Sequence, residues 1–401
     1  MTFDIVPQDE AWVKQAKQNL TALYEGRPLD RIPFEFMDFD ITSEFKPKTD
    51  VPSPSSPPQS IADVRREFFD EELQLRTQLE SIARRVREGF WDDKILALHP
   101  IGGATGWMTE VFGGETVWFP NRPPYPHHVI AEAHQIDTLR PDFEKSELYQ
   151  AALRHLRFFR KAVGDKIPIG APDLQSPIDV ASMIFDYTQL IYAMMDEPRR
   201  VHSLMRMITD AIIQACHAFR KEMTDYPMSH FDWWMPRGIW LSDDLQAVLS
   251  PDLYREFAVP YNEILASEFG GLATHSCGRI IHNVENVAGT KGMMAFNSHD
   301  PLARLAPIVK NRVALVLSGV VEVFALNHPE CKRPFIKDAE SLEKFWWEDF
   351  EKLPTIKGQR VYYWCHVLRC NRPAREAYER MLCMKGCRNS GITETGNLCR
   401  R

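Results

Sequence analysis

The sequence has no excess of positive charge and no long apolar run, and each absence excludes a class of function. Its formal net charge is −7 at pH 7, whereas general binding of nucleic acid or anionic membranes depends on summed positive charge. No run of about 18 apolar residues offers a membrane span, and residues 1–15 carry acids instead of the apolar segment of a signal peptide. We therefore expect a cytoplasmic protein that binds neither nucleic acid nor membranes.

Cysteine is present but is not arranged as a disulfide framework. The eight cysteines have no regular spacing, which favours reduced thiols, some of them available to a metal. Three cysteines near the C-terminus have no histidine nearby and do not predict a second metal site: Cys383, Cys387 and Cys399. The sequence also lacks an internal repeat and an early G-x-G-x-x-G pattern, so no dinucleotide site is indicated.

Eight short apolar or β-rich runs alternate, for the most part, with stretches of helical periodicity. The runs cover residues 32–37, 94–99, 166–172, 229–234, 272–277, 293–298, 313–319 and 361–366. Strand and helix in alternation indicate a parallel sheet, and eight units predict a (β/α)8 TIM barrel as a single domain over residues 1–401. An open doubly wound sheet is the alternative. Helical and loop additions at the N-terminus, a Pro/Ser-rich loop at 46–60 and a tail at 388–401 complete the predicted organisation.

The segment LATHSCG ends the fifth predicted strand with His275 and Cys277. Residues two apart on a strand face the same side, and the functional groups of a barrel lie at the C-terminal strand ends. The segment VYYWCH places Cys365 at the end of the last predicted strand, at the same mouth. Thiolate and imidazole are ligands that zinc prefers, and three protein ligands leave a position open for catalysis. A buried thiol beside a hydrogen-bonded histidine explains the H-x-C pair equally simply.

The segment SHFDWWMPRGIWLSDD is the richest pocket candidate. Strand alternation would place positions 230, 232 and 234 on one face, toward the barrel interior. Asp232 is the candidate catalytic residue, because a buried carboxylate needs a partner. Asp243 is more simply explained as the cap of the next helix, and the tryptophans also suit an ordinary core. The candidate substrate-binding residues of this segment are His230, Trp233, Trp234 and Trp240.

The segment LSDDLQAVLSPDLYREFAVPYNEILASEFGGLATHSCGRIIHNV resembles the C-terminal half of the uroporphyrinogen decarboxylase superfamily, whose members are (β/α)8 barrels. The segments GRPLDRIPFEF, GAPDLQSPIDVA and VALVLSGV are similar to other landmarks of that superfamily, so the resemblance covers about residues 20–385. The decarboxylase branch has an arginine-rich motif after the first strand, whereas this sequence reads FEFMDFDITSEF there. The sequence is more similar to the corrinoid-dependent methyltransferase branch.

This resemblance implies a set of metal ligands. In the methyltransferase branch an H-x-C pair and a later cysteine hold zinc, which this sequence matches at His275, Cys277 and Cys365. The glycine-rich surroundings that the family has at the last cysteine are absent here. Replacements for Cys365 would be His366 or Cys370, and Asp173 or Gln175 would contact substrate or supply a fourth ligand.

The resemblance also implies an activity. The enzyme would move a methyl group between a small methylated compound, for example an aromatic methyl ether, and the cobalt of a corrinoid (cobalamin) carried by a partner protein. Zinc would activate a thiol or polarise an oxygen. Two alternatives remain: a metal-independent decarboxylase of a porphyrinogen-like acid, and a non-catalytic barrel that binds a corrinoid or a protein and uses zinc structurally.

Overall fold

A six-stranded parallel sheet with helices around it forms the framework of the protein. The computed structural model describes residues 3–29, 33–39, 60–88, 92–101, 105–120, 122–318 and 358–368, without the side chains of 36–39, 88 and 364–368. The strands of the sheet are β1 (Phe34–Phe39), β4 (Ile239–Ser242), β5 (Leu272–His275), β6 (Met293–Asn297), β7 (Ala314–Ser318) and β8 (Val361–Leu368). Their order is β1-β8-β7-β6-β5-β4, and a separate antiparallel hairpin joins β2 (Thr116–Phe119) to β3 (Arg122–Pro126).

Three segments with isolated backbone contacts lie between β1 and β4. In order from β1, the contacts are Asp93 N to Phe34 O, the Leu98–Ile169 bridge, Ala171 N to Ser229 O, and the Met228–Ile239 bridge. The parallel sheet and its helices confirm the predicted α/β class and agree with a (β/α)8 barrel. The predicted strands at 94–99 and 166–172 pair with each other through the single Leu98–Ile169 bridge instead of a regular ladder.

The prediction of a strand at 229–234 is wrong. Residues 230–232 bend, and the strand that joins the sheet is β4, which begins at Ile239, the bridge partner of Met228. All four residues of β4 are buried, as is typical of strands in parallel sheets. The aromatic run before it has strand-like composition but packs into the core as irregular chain. The predicted strands at 272–277, 293–298, 313–319 and 361–366 are confirmed as β5 to β8.

Twelve helices are present in the described parts of the chain. They are α1 (Glu10–Glu25), α2 (Ile61–Phe69), α3 (Glu71–Glu88), α4 (Trp107–Val111), α5 (Glu147–Val163), α6 (Pro177–Ile184), α7 (Tyr187–Asp196), α8 (Pro198–Glu222), α9 (Pro251–Phe257), α10 (Val259–Phe269), α11 (Val284–Gly289) and α12 (Leu302–Val309). Short 3₁₀ helices occupy Ala133–Thr138 and Asp244–Ala247. Ser146, Ser176 and Ser250 start α5, α6 and α9 by accepting a backbone N–H. No described helix has the length and apolar character needed to cross a membrane.

Alternate residues of the strands face two cores. On β7, Leu315 packs with the helices, whereas Ala314 and Val316 face the second core, inside the barrel. Strands β5 and β6 also present small residues, Ala273 and Ala295, to this interior. The small side chains leave room for α1 and for the tryptophans that fill the interior. The predicted tail at 388–401 and all of the predicted loop at 46–60 except Ser60 lie outside the described residues.

Candidate metal centre

His275 and Cys277 lie together at the C-terminal end of β5. The His275 Nε2 atom is 3.2 Å from the Cys277 Sγ atom. The chain then passes close to the 3₁₀ helix 244–247, and a Cβ atom at Gly278 would lie 2.6 Å from the Ala247 Cβ atom. A side chain at position 278 would therefore push the pair away from the turn that follows β4.

Asp244 brings a carboxylate to the same point from that turn. Its Oδ1 atom accepts a hydrogen bond from the Cys277 backbone N–H at 2.7 Å. One possible ligand atom from each of Asp244, His275 and Cys277 lies within 4.8 Å of the other two. We call these three residues the metal triad. The sequence-based ligand set omits Asp244, although an acidic residue just after a barrel strand is a recognisable signal.

Asn297, at the end of β6, fixes the tautomer of His275. The Asn297 amide nitrogen donates to the Val316 carbonyl at 2.5 Å, so its Oδ1 atom faces the imidazole. That oxygen lies 2.6 Å from the His275 Nδ1 atom and can only accept, which places the proton on Nδ1. Burial lowers the pKa of His275, so the neutral ring presents the Nε2 lone pair toward Cys277. This is the arrangement of a metal-ligating histidine with its supporting hydrogen bond.

The thiol of Cys277 is protonated in the absence of a metal. Desolvation raises its pKa to about 11, and the negative charge of Asp244 adds to the rise. The S–H group can therefore donate to the His275 Nε2 atom. A cation bound between the two groups would replace this proton and favour the thiolate.

Two buried acids hold the turn that carries Asp244. The Asp179 oxygens accept from the backbone N–H groups of Asp244 and Leu245 at 2.7 and 2.9 Å. Asp243 occupies the predicted N-cap position of the 3₁₀ helix, but its side chain makes no capping hydrogen bond, and Asp179 binds these N–H groups in its place. Asp243 instead accepts from the Tyr254 hydroxyl at 2.7 Å. Burial raises the pKa of both carboxyls, that of Asp243 to about 6, as expected for acids withdrawn from water.

Aromatic rings form a wall beside the metal triad. Phe231 and Trp233 stack with their centroids 4.7 Å apart, and lie 5.2 and 5.7 Å from the His275 ring. Trp240 packs against both of them at 5.8 and 5.3 Å. Trp234 instead lies beside α1. Of the three predicted tryptophans, Trp233 contacts the triad, Trp240 supports it from behind, and Trp234 lies elsewhere in the interior.

His230 and Gln175 both form a polar contact with the Asp173 carboxylate. The Leu174 backbone N–H donates to the His230 Nδ1 atom at 3.1 Å, so Nε2 carries the proton and faces the Asp173 carboxylate at 3.2 Å. The Gln175 amide donates to the same carboxylate at 2.7 Å. Burial lowers the pKa of His230 to about 4, which keeps the ring neutral. Substrate contact or metal ligation by this group stays a prediction.

Asp232 lies in the barrel interior beside a buried lysine. Its Oδ2 atom is 2.7 Å from the Lys94 ammonium, and its Oδ1 atom is 3.8 Å from the His99 Nε2 atom. Burial is the largest effect on the pKa of Asp232 and would raise it, but the charge of Lys94, the hydrogen bond from Lys94 and further nearby basic groups together outweigh burial, and the pKa is lowered. Asp232 is therefore an ionised acceptor at neutral pH. Positions 230, 232 and 234 do not share a strand face, because the chain bends there.

Glu35 lies deeper in the same interior. The Tyr362 hydroxyl donates to its carboxyl at 2.6 Å, and burial raises its pKa to about 7 despite the nearby charge of Lys94. The sequence-based reasoning did not single out Glu35, Lys94 or Tyr362. Alternation on β1 and β8 places such positions inside the barrel, but only after the strands have been assigned.

The third predicted zinc ligand, Cys365, lies on β8. Its backbone pairs with Phe36 of β1, while its side chain and that of His366 are outside the described set, as is the whole of Cys370. The C-terminal ends of β8 and β5 belong to the same edge of the parallel sheet. Ligation by Cys365 stays a prediction.

Comparisons with known proteins agree with this architecture. None of the curated proteins compared with the sequence matches it. The structure is similar to that of a methyltransferase from Methanosarcina mazei, with a TM-score of 0.59 and 17% sequence identity over 91% of this chain and 98% of that one. At this identity the likeness shows a shared fold. The family model described as uroporphyrinogen decarboxylase (URO-D) matches residues 107–319, more than half of the chain. The protein therefore belongs to the uroporphyrinogen decarboxylase family.

Proposed function

We propose that this protein is a zinc-dependent methyltransferase that moves a methyl group between a small methylated compound and the cobalt of a corrinoid protein. The observation that carries the proposal is the convergence of nitrogen, sulfur and oxygen donors in the metal triad. The similarity in fold to a methyltransferase adds support. The URO-D family also contains decarboxylases, so the metal is the point on which the proposal depends.

The side chains of the triad fit zinc. Imidazole nitrogen, thiolate sulfur and carboxylate oxygen are all zinc ligands, with bonds of about 2.0–2.3 Å. Harder cations such as Mg²⁺ prefer sites made of oxygen alone. His275 is already neutral with its Nε2 lone pair directed at the thiol. Because the pKa of Cys277 is about 11, binding at neutral pH would release one proton, and the affinity should fall as the pH is lowered.

The surrounding residues hold the ligands in place. When bound, zinc would act as a Lewis acid that activates a thiol or polarises an ether oxygen. Asn297 keeps the His275 proton on Nδ1, and Asp179 fixes the turn from which Asp244 reaches the site. Asp244 in turn binds the Cys277 N–H. Each residue of the metal triad is therefore positioned by a hydrogen bond from another part of the fold.

The aromatic wall suggests the kind of substrate. Phe231 and Trp233 present stacked rings next to His275, and such surfaces bind apolar or aromatic groups and exclude water. An aromatic methyl ether suits this wall. Asp232, ionised beside Lys94, would orient the substrate or accept a proton. We also propose a cytoplasmic location, since a thiolate ligand suits a reducing compartment.

Metal analysis of the purified full-length chain tests the proposal. We expect one equivalent of zinc in the unaltered protein and its loss in His275→Ala, Cys277→Ser and Asp244→Asn. Cys216→Ala is the matched control, since it removes a buried thiol within α8, outside the triad. Cys365→Ser tests the ligand that the family resemblance implies.

Activity is then assayed by following methylation of added cob(I)alamin spectroscopically with a panel of methyl ethers, thiols and amines. Zinc that is retained in all three triad variants, or a zinc-free protein that is fully active, would overturn the proposal. A zinc-free protein that releases carbon dioxide from a porphyrinogen-like acid would favour the decarboxylase instead.

A further inference from the structure

Two hydrogen-bond acceptors face each other in the barrel interior, and no described residue supplies a donor between them. The His99 Nδ1 atom lies 3.1 Å from the Ala171 carbonyl oxygen, which can only accept, so Nδ1 carries the proton. The Nε2 atom then has a lone pair, and it is 3.8 Å from the Asp232 Oδ1 atom. That nitrogen is buried and has no hydrogen-bond partner among the described residues. We call Asp232 Oδ1 and His99 Nε2 the acceptor pair.

Protonation of His99 does not fill this gap. Burial lowers the pKa of His99 even with Asp232 nearby, so the ring is neutral at pH 7. The other oxygen of Asp232 is occupied by Lys94 at 2.7 Å. Leaving two acceptors in contact costs free energy unless a donor lies between them. Asp232 keeps 39% of its side chain exposed, so a ligand can reach the pair.

The charge around the pair favours a neutral donor. Lys94 already balances the charge of Asp232, so an incoming ammonium group would meet the lysine and gain little net attraction. A neutral hydroxyl group donates one hydrogen bond to the pair without adding a positive charge beside Lys94.

We propose that the acceptor pair is a subsite for a hydroxyl group of the ligand, so that the compound bound next to the aromatic wall is a phenol or an alcohol. Phe231 connects the two regions, because it precedes Asp232 in the chain and its ring lies 5.2 Å from the His275 ring. The inference deepens the proposed function and rests on it in one respect, namely that the bound compound is the methylated substrate or its demethylated product.

Binding of phenol and toluene tests the subsite. The two compounds have nearly the same shape and differ in one hydroxyl group. Their dissociation constants are measured by calorimetry on the full-length chain, without corrinoid and after metal removal. Benzylammonium serves as the cationic probe. A hydrogen bond to a charged acceptor contributes about 1.5–3 kcal/mol, or roughly ten-fold or more in affinity.

The informative variant is Asp232→Asn. Lys94 holds the amide oxygen of the new side chain, so its NH₂ group faces His99 Nε2 and supplies the missing donor. We expect the ratio of the toluene to the phenol dissociation constant to fall at least about ten-fold, while toluene binding stays unchanged. Glu35→Gln, at another buried carboxyl of the interior, should leave the ratio within about two-fold. His99→Phe removes the other acceptor and should act like Asp232→Asn, which keeps the test usable if the first variant does not fold.

An unchanged ratio of the toluene to the phenol dissociation constant in folded Asp232→Asn or His99→Phe would overturn the proposal. Water would then be the donor that occupies the gap. Tighter binding of benzylammonium than of phenol would overturn the choice of a neutral group. Because the assay uses neither metal nor corrinoid, a failure here is separate from a failure of the zinc test, which depends on His275, Cys277 and Asp244.

Discussion

The clearest test of the metal triad is the substitution of a residue that would not itself bind the ion. Asn297 is 1% exposed and accepts the His275 Nδ1 proton at 2.6 Å. Asn297→Leu keeps the side-chain volume similar and removes the acceptor. Without it the imidazole can rotate or carry its proton on Nε2, the atom that would bind zinc. Loss of such supporting hydrogen bonds costs about 10–100-fold in metal affinity, which corresponds to roughly 1.4–2.7 kcal/mol.

The assay is competition for zinc with a chromophoric chelator at pH 7. Asn286→Ala is the matched control, because Asn286 also donates to a backbone carbonyl, that of Pro251 at 2.8 Å, but contacts no residue of the triad. We expect a weaker zinc affinity in Asn297→Leu alone. Equal affinities in the unaltered protein and in folded Asn297→Leu would refute the argument that this hydrogen bond prepares His275 as a ligand.

Two further predictions concern stability. The pKa of Glu35 is raised from an ordinary 4.5 to about 7 by burial, so the free energy of unfolding should fall as the pH rises from about 4.5 to about 7, and Glu35→Gln should abolish up to about 3 kcal/mol of that fall. Gly170→Ala should lower the free energy of unfolding by about 1–3 kcal/mol, because its Cβ atom would lie 2.4 Å from His99 Cε1 and 2.9 Å from the Ser229 carbonyl oxygen.

Urea unfolding across pH 5 to 8 measures the first effect, and thermal unfolding measures the second. The same pH dependence in Glu35→Gln as in the unaltered protein would show that another group titrates. Gly289→Ala, where a Cβ atom would meet nothing within 4 Å, is the control for Gly170. Equal melting temperatures for the two alanine variants would contradict the predicted clash.

The sequence predicts those parts of the fold in which local pattern and position agree. The segments LATH, MMAFN and ALVLS are short apolar runs, and each forms a strand. The IWLS strand escapes prediction because the aromatic run before it satisfies the same composition rule. Strand composition reports burial, and both the IWLS segment and the two tryptophans of the aromatic run are buried.

The candidate site is predictable only where its members are close in sequence. His275 ends β5 and Cys277 lies two residues later, in the bend that follows the strand, so their approach follows from closeness in sequence. Asp244 and Asn297 reach the same point from β4 and β6, which requires knowing the neighbours of β5 in the sheet. The pairing of Lys94 with Asp232 depends on an irregular segment within the barrel, for which no periodic pattern exists.

The pairing of β1 with β8 has a consequence for synthesis of the chain. The two strands run in parallel from the Phe34–Tyr363 pair to the Phe39–Leu368 pair, and the hydrogen bond between Glu35 and Tyr362 spans 327 residues. The ribosome adds about 5–20 residues per second, so roughly 15–65 s pass between the synthesis of β1 and that of its partner strand β8. During that time one of its edges is an open template for pairing with other chains. The yield of folded protein should therefore depend more on shielding of the nascent N-terminal region by a chaperone than on the rate at which the later helices form.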